Sequence, residues 1–227
     1  VCGDSTIGMN GLKVTKFDQN GDTIWNSIFG APGINWAEGL AVLRDSTYIV
    51  ISDNSGYENV THIDNSGNFL NNMILPFYYL KDVTQGKDGN IYYCGYAGAG
   101  FTDSFVIGKS NEALDTIYWI NSFGTTGGNY GDWFNALSVL PDSNIVVTGR
   151  DGTYKINYLT GDSIWKNNVR GDAIWPMKDS TLIVERGTLN KMTYNGDSIW
   201  AKNLNISVSK GLVLNSIVEL DGGCIAA

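Results

Sequence analysis

The chain of 227 residues has 43% hydrophobic side chains, enough to bury a core, and 28 glycines against 4 prolines. This composition, with 12% aromatic residues, favours strands and tight turns over helices. A formal net charge of −8 disfavours binding to nucleic acid, and no stretch of about 18 uninterrupted apolar residues predicts a membrane span.

The first elements of the chain predict strands. The opening "VCGDS" is similar to the strand end "YYCGYA" further along, so we interpret it as the end of the second strand of a blade. An alternating strand, "LKVTKFD", comes next, then an Asn-Gly turn and the aromatic strand "DTIWNSIF". After these, "WAEGLAVLR", an Asp-Ser turn, the apolar run "TYIVISD" and the alternating "NVTHID" predict three more strands.

This order of strands recurs along the chain. One set of anchors is the turn residue before each aromatic strand: Gly21, Gly67, Leu114, Gly161 and Gly196. A second set opens the other hairpin turn of each unit: Asp45, Asp88, Asp142, Asp179 and Asp221. Both sets repeat with a mean period of about 44 residues, which is typical of the four-stranded blades of a β-propeller.

The repeat predicts an all-β fold: a single β-propeller domain over 1–227, or an arc of one, made of four-stranded antiparallel blades. The predicted full blades cover about 37–76, 77–131, 132–171 and 172–210, and half blades cover 1–36 and 211–227. If the two halves combine, the ring has five blades. We favour an arc of a larger ring, because both chain ends fall within strands rather than loops.

The segment "KFDQNGDTIWNSIFG" resembles repeats of secreted proteins from Bacteroidetes-type bacteria, and "ELDGGCIAA" matches the strand that commonly precedes them. The resemblance implies β-propeller blades, export by type IX secretion and a cell-surface location. The blades also look distantly like those of quinoprotein-type propellers, in which a tryptophan of the outer strand locks adjacent blades. That likeness implies a structural role for Trp25, Trp165 and Trp200.

The repeats depart from the family pattern at two places. Asn71 stands where tryptophan is expected, and so does Tyr118, which has Trp119 beside it. No quinone-binding or metal constellation matches, so the resemblance implies no cofactor and no metal.

The spacing of the three cysteines, Cys2, Cys94 and Cys224, matches no metal-binding or disulfide pattern. A disulfide between Cys2 and Cys224, which would join the chain ends, is left as an alternative. The lone histidine, His62, has no nucleophile motif near it, and we interpret it as an ordinary strand residue.

Oxygen ligands at alternate positions in the turns also allow a calcium loop, with Asp18, Asn20, Asp22 and Asp64 as candidate ligands. Both turns, "DQNGD" and "DNSGN", lack the distal bidentate glutamate of a calcium loop. The same residue types suit a turn between two strands, which is the reading we favour.

The recurring Asp-Thr or Asp-Ser before an aliphatic residue resembles the O-glycosylation signal that Bacteroidetes use on exported proteins. The matching positions are Thr23, Thr116, Ser163 and Ser198. Glycans on outer strands would also protect exposed sheet edges from aggregation. The alternative is that these residues merely open the outer strand.

The two longest irregular insertions are 95–104 and 124–133, and they carry Phe101, Tyr130 and Trp133. These aromatic residues would line a carbohydrate- or peptide-binding surface or, alternatively, wedge between blades.

We therefore expect a non-enzymatic, extracellular or cell-surface module for binding or scaffolding, similar to an adhesin, with an unknown glycan or protein ligand. The chain has only one histidine and no motif that groups catalytic residue types. These features favour a binding module over an enzyme or accessory domain that acts on polysaccharide. A purely structural repeat segment of a large surface protein or filament is the other alternative. Further domains of a longer chain would be partners in any of these cases.

Overall fold

The computed structural model of the chain describes residues 2–3, 11–29, 35–54, 57–76, 78–98, 104–123, 134–203, 217–220 and 223–226. These residues form 21 strands and no helix. Accordingly, no helix in this part of the chain is long and apolar enough to cross a membrane.

The strands form four four-stranded sheets, one three-stranded sheet and one two-stranded sheet, each antiparallel with strands paired in chain order. Sheet 1 contains β1 (Cys2–Gly3), β2 (Leu12–Phe17) and β3 (Thr23–Phe29). Sheet 2 contains β4 (Asn35–Val42), β5 (Tyr48–Asn54), β6 (Tyr57–Ile63) and β7 (Phe69–Pro76). Sheet 3 contains β8 (Tyr78–Gln85), β9 (Ile91–Ala97), β10 (Ser104–Ser110) and β11 (Ile117–Phe123).

The second half of the chain repeats the same plan. Sheet 4 contains β12 (Phe134–Val139), β13 (Ile145–Gly149), β14 (Thr153–Ile156) and β15 (Ser163–Asn167). Sheet 5 contains β16 (Ala173–Pro176), β17 (Thr181–Glu185), β18 (Thr188–Thr193) and β19 (Ser198–Asn203). Sheet 6 contains β20 (Ile217–Leu220) and β21 (Gly223–Ala226). The predicted all-β fold with four-stranded antiparallel sheets is confirmed.

The core is divided into layers, each lying between two consecutive sheets. Between sheets 2 and 3, for example, Ile51 packs in one apolar cluster with Leu80 and Tyr93. The second strands β13 and β17 are buried at every position, and β13 contributes to the apolar clusters on both faces of sheet 4. First strands contact first strands (β4 with β8, β8 with β12, β12 with β16), whereas the fourth strands are largely exposed.

A repeated contact fixes each sheet against the next, and we call it the joint. In the joint between sheets 1 and 2, the ring of Trp25 on the fourth strand covers Gly67, in the turn between the third and fourth strands of sheet 2. A Cβ atom at Gly67 would lie 2.7 Å from the Trp25 ring, and the φ of 85° there also favours glycine. The indole Nε1 donates a hydrogen bond of 3.0 Å to the carbonyl oxygen of Asn65.

The joint between sheets 4 and 5 has the same construction. Trp165 covers Gly196, and its Nε1 donates to the carbonyl oxygen of Tyr194 at 3.1 Å. Two residues after the tryptophan, Asn167 Nδ2 donates to the carbonyl oxygen of Gly196 at 2.6 Å. Both positions therefore follow one rule: a large ring lies on a turn residue that has no side chain.

The joint between sheets 3 and 4 corrects the alignment of the repeats. Trp119, and not Tyr118, pairs with Lys109 in the register and covers Gly161. The turn before β11 is one residue longer than the turn before β3, so the tryptophan comes one position later in the chain. Among the described fourth strands that carry the joint position, Asn71 is therefore the one residue that replaces tryptophan.

The joint between sheets 2 and 3 replaces both partners at once. Asn71 takes the place of tryptophan, and Leu114, with a φ of 59°, takes the place of the turn glycine. The Leu114 side chain is buried in the apolar cluster between these sheets, and Asn71 Nδ2 donates to the carbonyl oxygen of Ala113 at 2.5 Å. The leucine in the turn of sheet 3 thus supplies the apolar volume that, in the other joints, comes from a tryptophan on the fourth strand of the preceding sheet.

Gly21 and Trp200 stand at the joint positions of sheets 1 and 5. Gly21 is exposed, and no atom of the described residues lies within 4 Å of the place of a Cβ atom there. Trp200 on β19 is half-buried and pairs with Lys191 in the register, as the joint tryptophans pair with their lysines.

The joint between sheets 2 and 3, in which both partners are replaced, predicts strong thermodynamic coupling between substitutions at positions 71 and 114. Asn71→Trp alone should destabilise the protein by about 1–3 kcal/mol, because the ring meets Leu114. In the double variant with Leu114→Gly, the ring covers a glycine as in the other joints, so urea unfolding should show a favourable coupling free energy of at least about 1 kcal/mol. Asn72→Trp combined with Leu114→Gly is the matched control, since Asn72 is exposed beside Asn71. Additive effects in the first pair would contradict the proposed exchange.

Candidate functional site at the bulge end of the sheets

Three first strands carry a β-bulge at the same level. The extra residues are Glu38 in β4, Lys81 in β8 and Asn135 in β12. A bulge turns a side chain out of the regular alternation and is common beside functional sites. We call the end at which β4, β8 and β12 begin the bulge end, and the opposite end, with the hairpin turns that follow these strands, the turn end.

The bulge residues link neighbouring sheets through polar contacts. Lys81 Nζ lies 2.9 Å from Glu38 Oε1 in an ion pair between sheets 2 and 3, with both side chains about a quarter exposed. Asn135 Nδ2 donates to Asp172 Oδ1 at 2.8 Å between sheets 4 and 5. Asp172 Oδ2 in turn lies 3.9 Å from Arg186 Nε. A band of charged and amide groups therefore follows the inner strands at this end.

Glu58, the second residue of β6, lies beneath this band and is fully buried. Burial is the main cause that raises the pKa of its carboxyl to about 8, and the charges of Asp53 and Glu38 act in the same direction. The backbone N–H of Leu80 and the charge of Lys81 oppose the rise. The geometry of the Leu80 N–H falls short of a full hydrogen bond, so neither carboxyl oxygen has a partner among the described residues. Glu58 is therefore mostly protonated at neutral pH.

Asp82 follows the bulge in β8 and holds sheet 3 against sheet 4. Its Oδ2 accepts the N–H of Leu137 at 2.9 Å, and its Oδ1 accepts the N–H of Val83 at 2.8 Å. Burial raises the pKa of this carboxyl to about 6, against these two hydrogen bonds. The role of Asp82 is to position the inner strands, since it faces backbone groups.

Two tyrosines stack at the bulge end of sheet 3. Tyr79 and Tyr96 lie directly opposite each other on β8 and β9, with ring centroids 4.7 Å apart and an angle of 13° between the planes. Both side chains are half-buried. Because Tyr79 is two residues before Lys81, the aromatic pair and the Glu38–Lys81 ion pair share this end of the fold. This end of sheet 3 therefore carries both a flat aromatic surface and charged hydrogen-bonding groups.

The insertions at 95–104 and 124–133 are anchored at the same end. The first includes the last residues of β9, which ends at Ala97, and the first residue of β10, Ser104, and the second joins β11 to β12. Phe101, Tyr130 and Trp133 themselves lie outside the described residues, as do the side chains of Cys2 and Cys224. Cys94 is free and buried.

The candidate calcium ligands lie at the turn end, where their carboxylates complete turns. Asp18 Oδ1 accepts the backbone N–H groups of Asn20 at 2.8 Å and Asp22 at 2.9 Å, and these bonds lower the pKa of Asp18. Asp64 does the same for the N–H groups of Ser66 and Asn68, both at 2.8 Å. The bonds are those of an Asx turn. Calcium binding stays a prediction.

The four candidate glycosylation sites share one environment. All are exposed, and they stand at the first residue of a fourth strand or just before it: Thr23, Thr116, Ser163 and Ser198. In the second of them, Thr116 Oγ1 donates to Asp115 Oδ1 at 2.8 Å. Modification of these hydroxyl groups stays a prediction.

Comparisons with known proteins show likeness in fold. No family model and no curated protein matches the chain. A protein of unknown function from Bacteroides caccae is 12% identical, with a TM-score of 0.59 over 88% of this chain and 78% of that one. A protein from Lactobacillus plantarum is also 12% identical, with a TM-score of 0.62 over 91% of this chain and 67% of that one. At this identity the likeness concerns the fold alone.

The buried carboxyl of Glu58 predicts a characteristic pH dependence. Its pKa rises from an ordinary 4.5 to about 8 on folding, so the unfolded chain loses this proton first as the pH rises. Between these two values the free energy of unfolding should therefore fall, by about 3–5 kcal/mol in total from this group. Glu58→Gln removes the titration, and its stability relative to the wild type should increase from pH 5 to pH 8.5 in urea unfolding. A difference that stays constant over this range would contradict the assignment.

Proposed function

We propose that the chain is a β-propeller, or an arc of one, that acts as a non-enzymatic extracellular binding module and takes a glycan or peptide ligand at the bulge end. The contacts of first strand with first strand support the propeller, since they place the inner strands around a common centre. The exposed Gly21 turn supports an open arc, because a closed ring would place the fourth strand of another sheet over it.

The observation that carries the proposal is the pairing of the Tyr79–Tyr96 stack with the Glu38–Lys81 ion pair at one end of sheet 3. Sugar rings and peptide side chains present apolar faces beside hydroxyl or amide groups. A half-buried aromatic surface next to charged donors and acceptors can satisfy both parts of such a ligand. The two insertions anchored beside this surface carry further aromatic residues, which favours a ligand larger than a single small molecule.

The same end carries a group that would favour an enzyme acting on polysaccharide. Glu58 is protonated at neutral pH, as a general acid must be. However, its side chain is fully buried and cannot touch a ligand in this conformation. We therefore prefer binding to catalysis, and we prefer binding to a purely structural repeat because the half-buried Tyr79–Tyr96 stack offers aromatic surface to a ligand.

Export to the cell surface is proposed from the resemblance of the repeats to those of secreted Bacteroidetes-type proteins. Protein purified from its native host should then carry glycans on Thr23, Thr116, Ser163 and Ser198, all of which are exposed. Intact mass spectrometry should show a mass above that of the bare sequence, and each alanine substitution at these positions should remove one increment. A mass equal to that of the unmodified chain would refute the modification.

A binding experiment tests the ligand surface. A glycan array and a peptide library would first identify a ligand of the wild-type protein, and calorimetry would then measure its affinity. Tyr79→Ala and Tyr96→Ala should each weaken binding about fivefold, because an aromatic contact contributes on the order of 1 kcal/mol and about 1.4 kcal/mol corresponds to a factor of ten.

Tyr118→Ala is the matched control, since this tyrosine is exposed on the outer strand β11. It should leave the affinity unchanged, and circular dichroism should confirm that all three variants fold. Equal losses in Tyr118→Ala and Tyr79→Ala would contradict the assigned surface. Turnover of a bound polysaccharide that disappears in Glu58→Gln would favour the enzyme instead.

A further inference from the structure

Lysine ammonium groups occupy a fixed place beside the joints, at the turn end of the sheets. Lys109, on the third strand of sheet 3, lies 2.8 Å from Asp88 Oδ2 in the first hairpin turn of its own sheet. The same Nζ donates to the carbonyl oxygen of Tyr158, in the turn of sheet 4, at 2.9 Å. One cation therefore bridges a carboxylate of one sheet and a turn of the next.

Two other joints repeat this bridge, in whole or in part. Lys155 Nζ lies 2.7 Å from Asp142 Oδ2 and 3.5 Å from the carbonyl oxygen of Tyr194 in the next sheet. Lys16 Nζ donates to the carbonyl oxygen of Asn65 in the next sheet at 3.4 Å. A positive charge between consecutive sheets is thus a regular feature of the repeat.

The strand register identifies the residue that replaces lysine in sheet 2. Each lysine of the third strand pairs with the joint position of the fourth strand: Lys16 with Trp25, Lys109 with Trp119, Lys155 with Trp165 and Lys191 with Trp200. In sheet 2 the pair is His62 with Asn71. The only histidine of the chain therefore stands at the position of the ammonium groups.

Two carboxylates face this histidine from the positions of the lysine partners. Asp45 is in the first hairpin turn of sheet 2, as Asp88 is in sheet 3. Glu112 is in the turn of sheet 3, as Tyr158 is in sheet 4. One donor atom from each of Asp45, His62 and Glu112 lies within 4.8 Å of the others. His62 is 7% exposed, whereas Glu112 is half-buried and Asp45 is exposed, so the group opens to solvent on one side.

The charge balance of this joint is the reverse of the others. An ordinary imidazole carries little charge at pH 7, whereas a lysine ammonium carries a full positive charge. The two carboxylates therefore face a side chain that lacks the permanent charge of the other joints. Arg44 in the same turn does not replace the missing ammonium, because its guanidinium donates to the carbonyl oxygens of Gly86 and Lys87 at 2.7 and 2.9 Å.

Neighbouring groups hold the three side chains in place. Thr47 Oγ1 donates to Asp45 Oδ1 at 2.7 Å and lies 2.8 Å from His62 Nε2. Gln85 Nε2 donates to Glu112 Oε2 at 2.9 Å, and its Oε1 accepts the N–H of Arg44 at 2.9 Å. Such outer contacts are typical of metal ligands, whose orientation they fix.

We infer that Asp45, His62 and Glu112 bind a divalent transition-metal ion, Zn²⁺ by preference, which takes the place of the lysine ammonium in the joint between sheets 2 and 3. One imidazole nitrogen and two carboxylate oxygens are a donor set that suits Zn²⁺, whereas Mg²⁺ and Ca²⁺ favour oxygen donors alone. Water would complete the coordination on the open side. The ion joins two sheets at the one described joint that lacks a tryptophan, so its role is to hold these sheets together.

The single histidine makes the test direct. Protein freed of any affinity tag and of metal by a chelator is titrated with ZnCl₂ at pH 7 while the ring signals of His62 are followed by NMR. One equivalent should shift these signals, calorimetry should show one site, and the melting temperature should rise. Glu112→Gln should weaken the affinity at least tenfold.

His62→Lys is the decisive variant, because it installs the residue that the other joints carry. It should fold, melt at or above the temperature of the metal-free wild type and show no zinc-dependent rise. Asp88→Asn, at the corresponding turn of sheet 3, is the matched control and should bind Zn²⁺ like the wild type. Ring signals that zinc leaves unmoved, or equal zinc binding by wild type and His62→Lys, would overturn the inference. A histidine that stays protonated above pH 7 and does not respond to zinc would also overturn the inference. In that case the charged imidazole, and not a metal ion, would replace the lysine ammonium.

Discussion

The structure depends on the contact between a tryptophan ring and a turn that carries no side chain. A single four-stranded sheet with two apolar faces is marginal in water, and only a neighbour on each side allows burial of strands such as β13 and β17. The joint sets the distance and angle of that neighbour. Trp25 on Gly67 and Trp165 on Gly196 combine shape, a left-handed turn and an indole hydrogen bond in one contact.

The candidate sites lie where the repeat departs from its own rule. The bulges at Glu38 and Lys81 bring an ion pair to one end of sheets 2 and 3, next to the stacked tyrosines. At the opposite end, His62 stands where other sheets have lysine. Residues that follow the repeated pattern pack the sheets together. Residues that depart from it can serve binding or catalysis, because function on a repeat fold resides in local sites added to the fold.

Much of the fold could be predicted from the sequence. The period of the repeat and the alternation of apolar and polar residues show directly which strand positions are buried. The continuous apolar second strands and the Asp-Ser turns needed no knowledge of distant contacts. The sites were less accessible, since a bulge depends on pairing between strands: nothing in "WAEGLAV" marks Glu38 as the extra residue. The same limit applied to Tyr118, where one additional turn residue shifts the tryptophan to position 119, and to His62, which gains its meaning only beside Asp45 and Glu112.

The exchange of Asn71 and Leu114 for tryptophan and glycine divides an otherwise uniform stack. In a linear array, stability is roughly the sum of unit and interface contributions, and cooperativity fails first at the weakest interface. The interface between sheets 2 and 3 is held by the buried Leu114 instead of an indole contact, so its resistance to mechanical load should differ from that of the other joints. A metal ion held across this interface would decide whether the array yields as one body or as two.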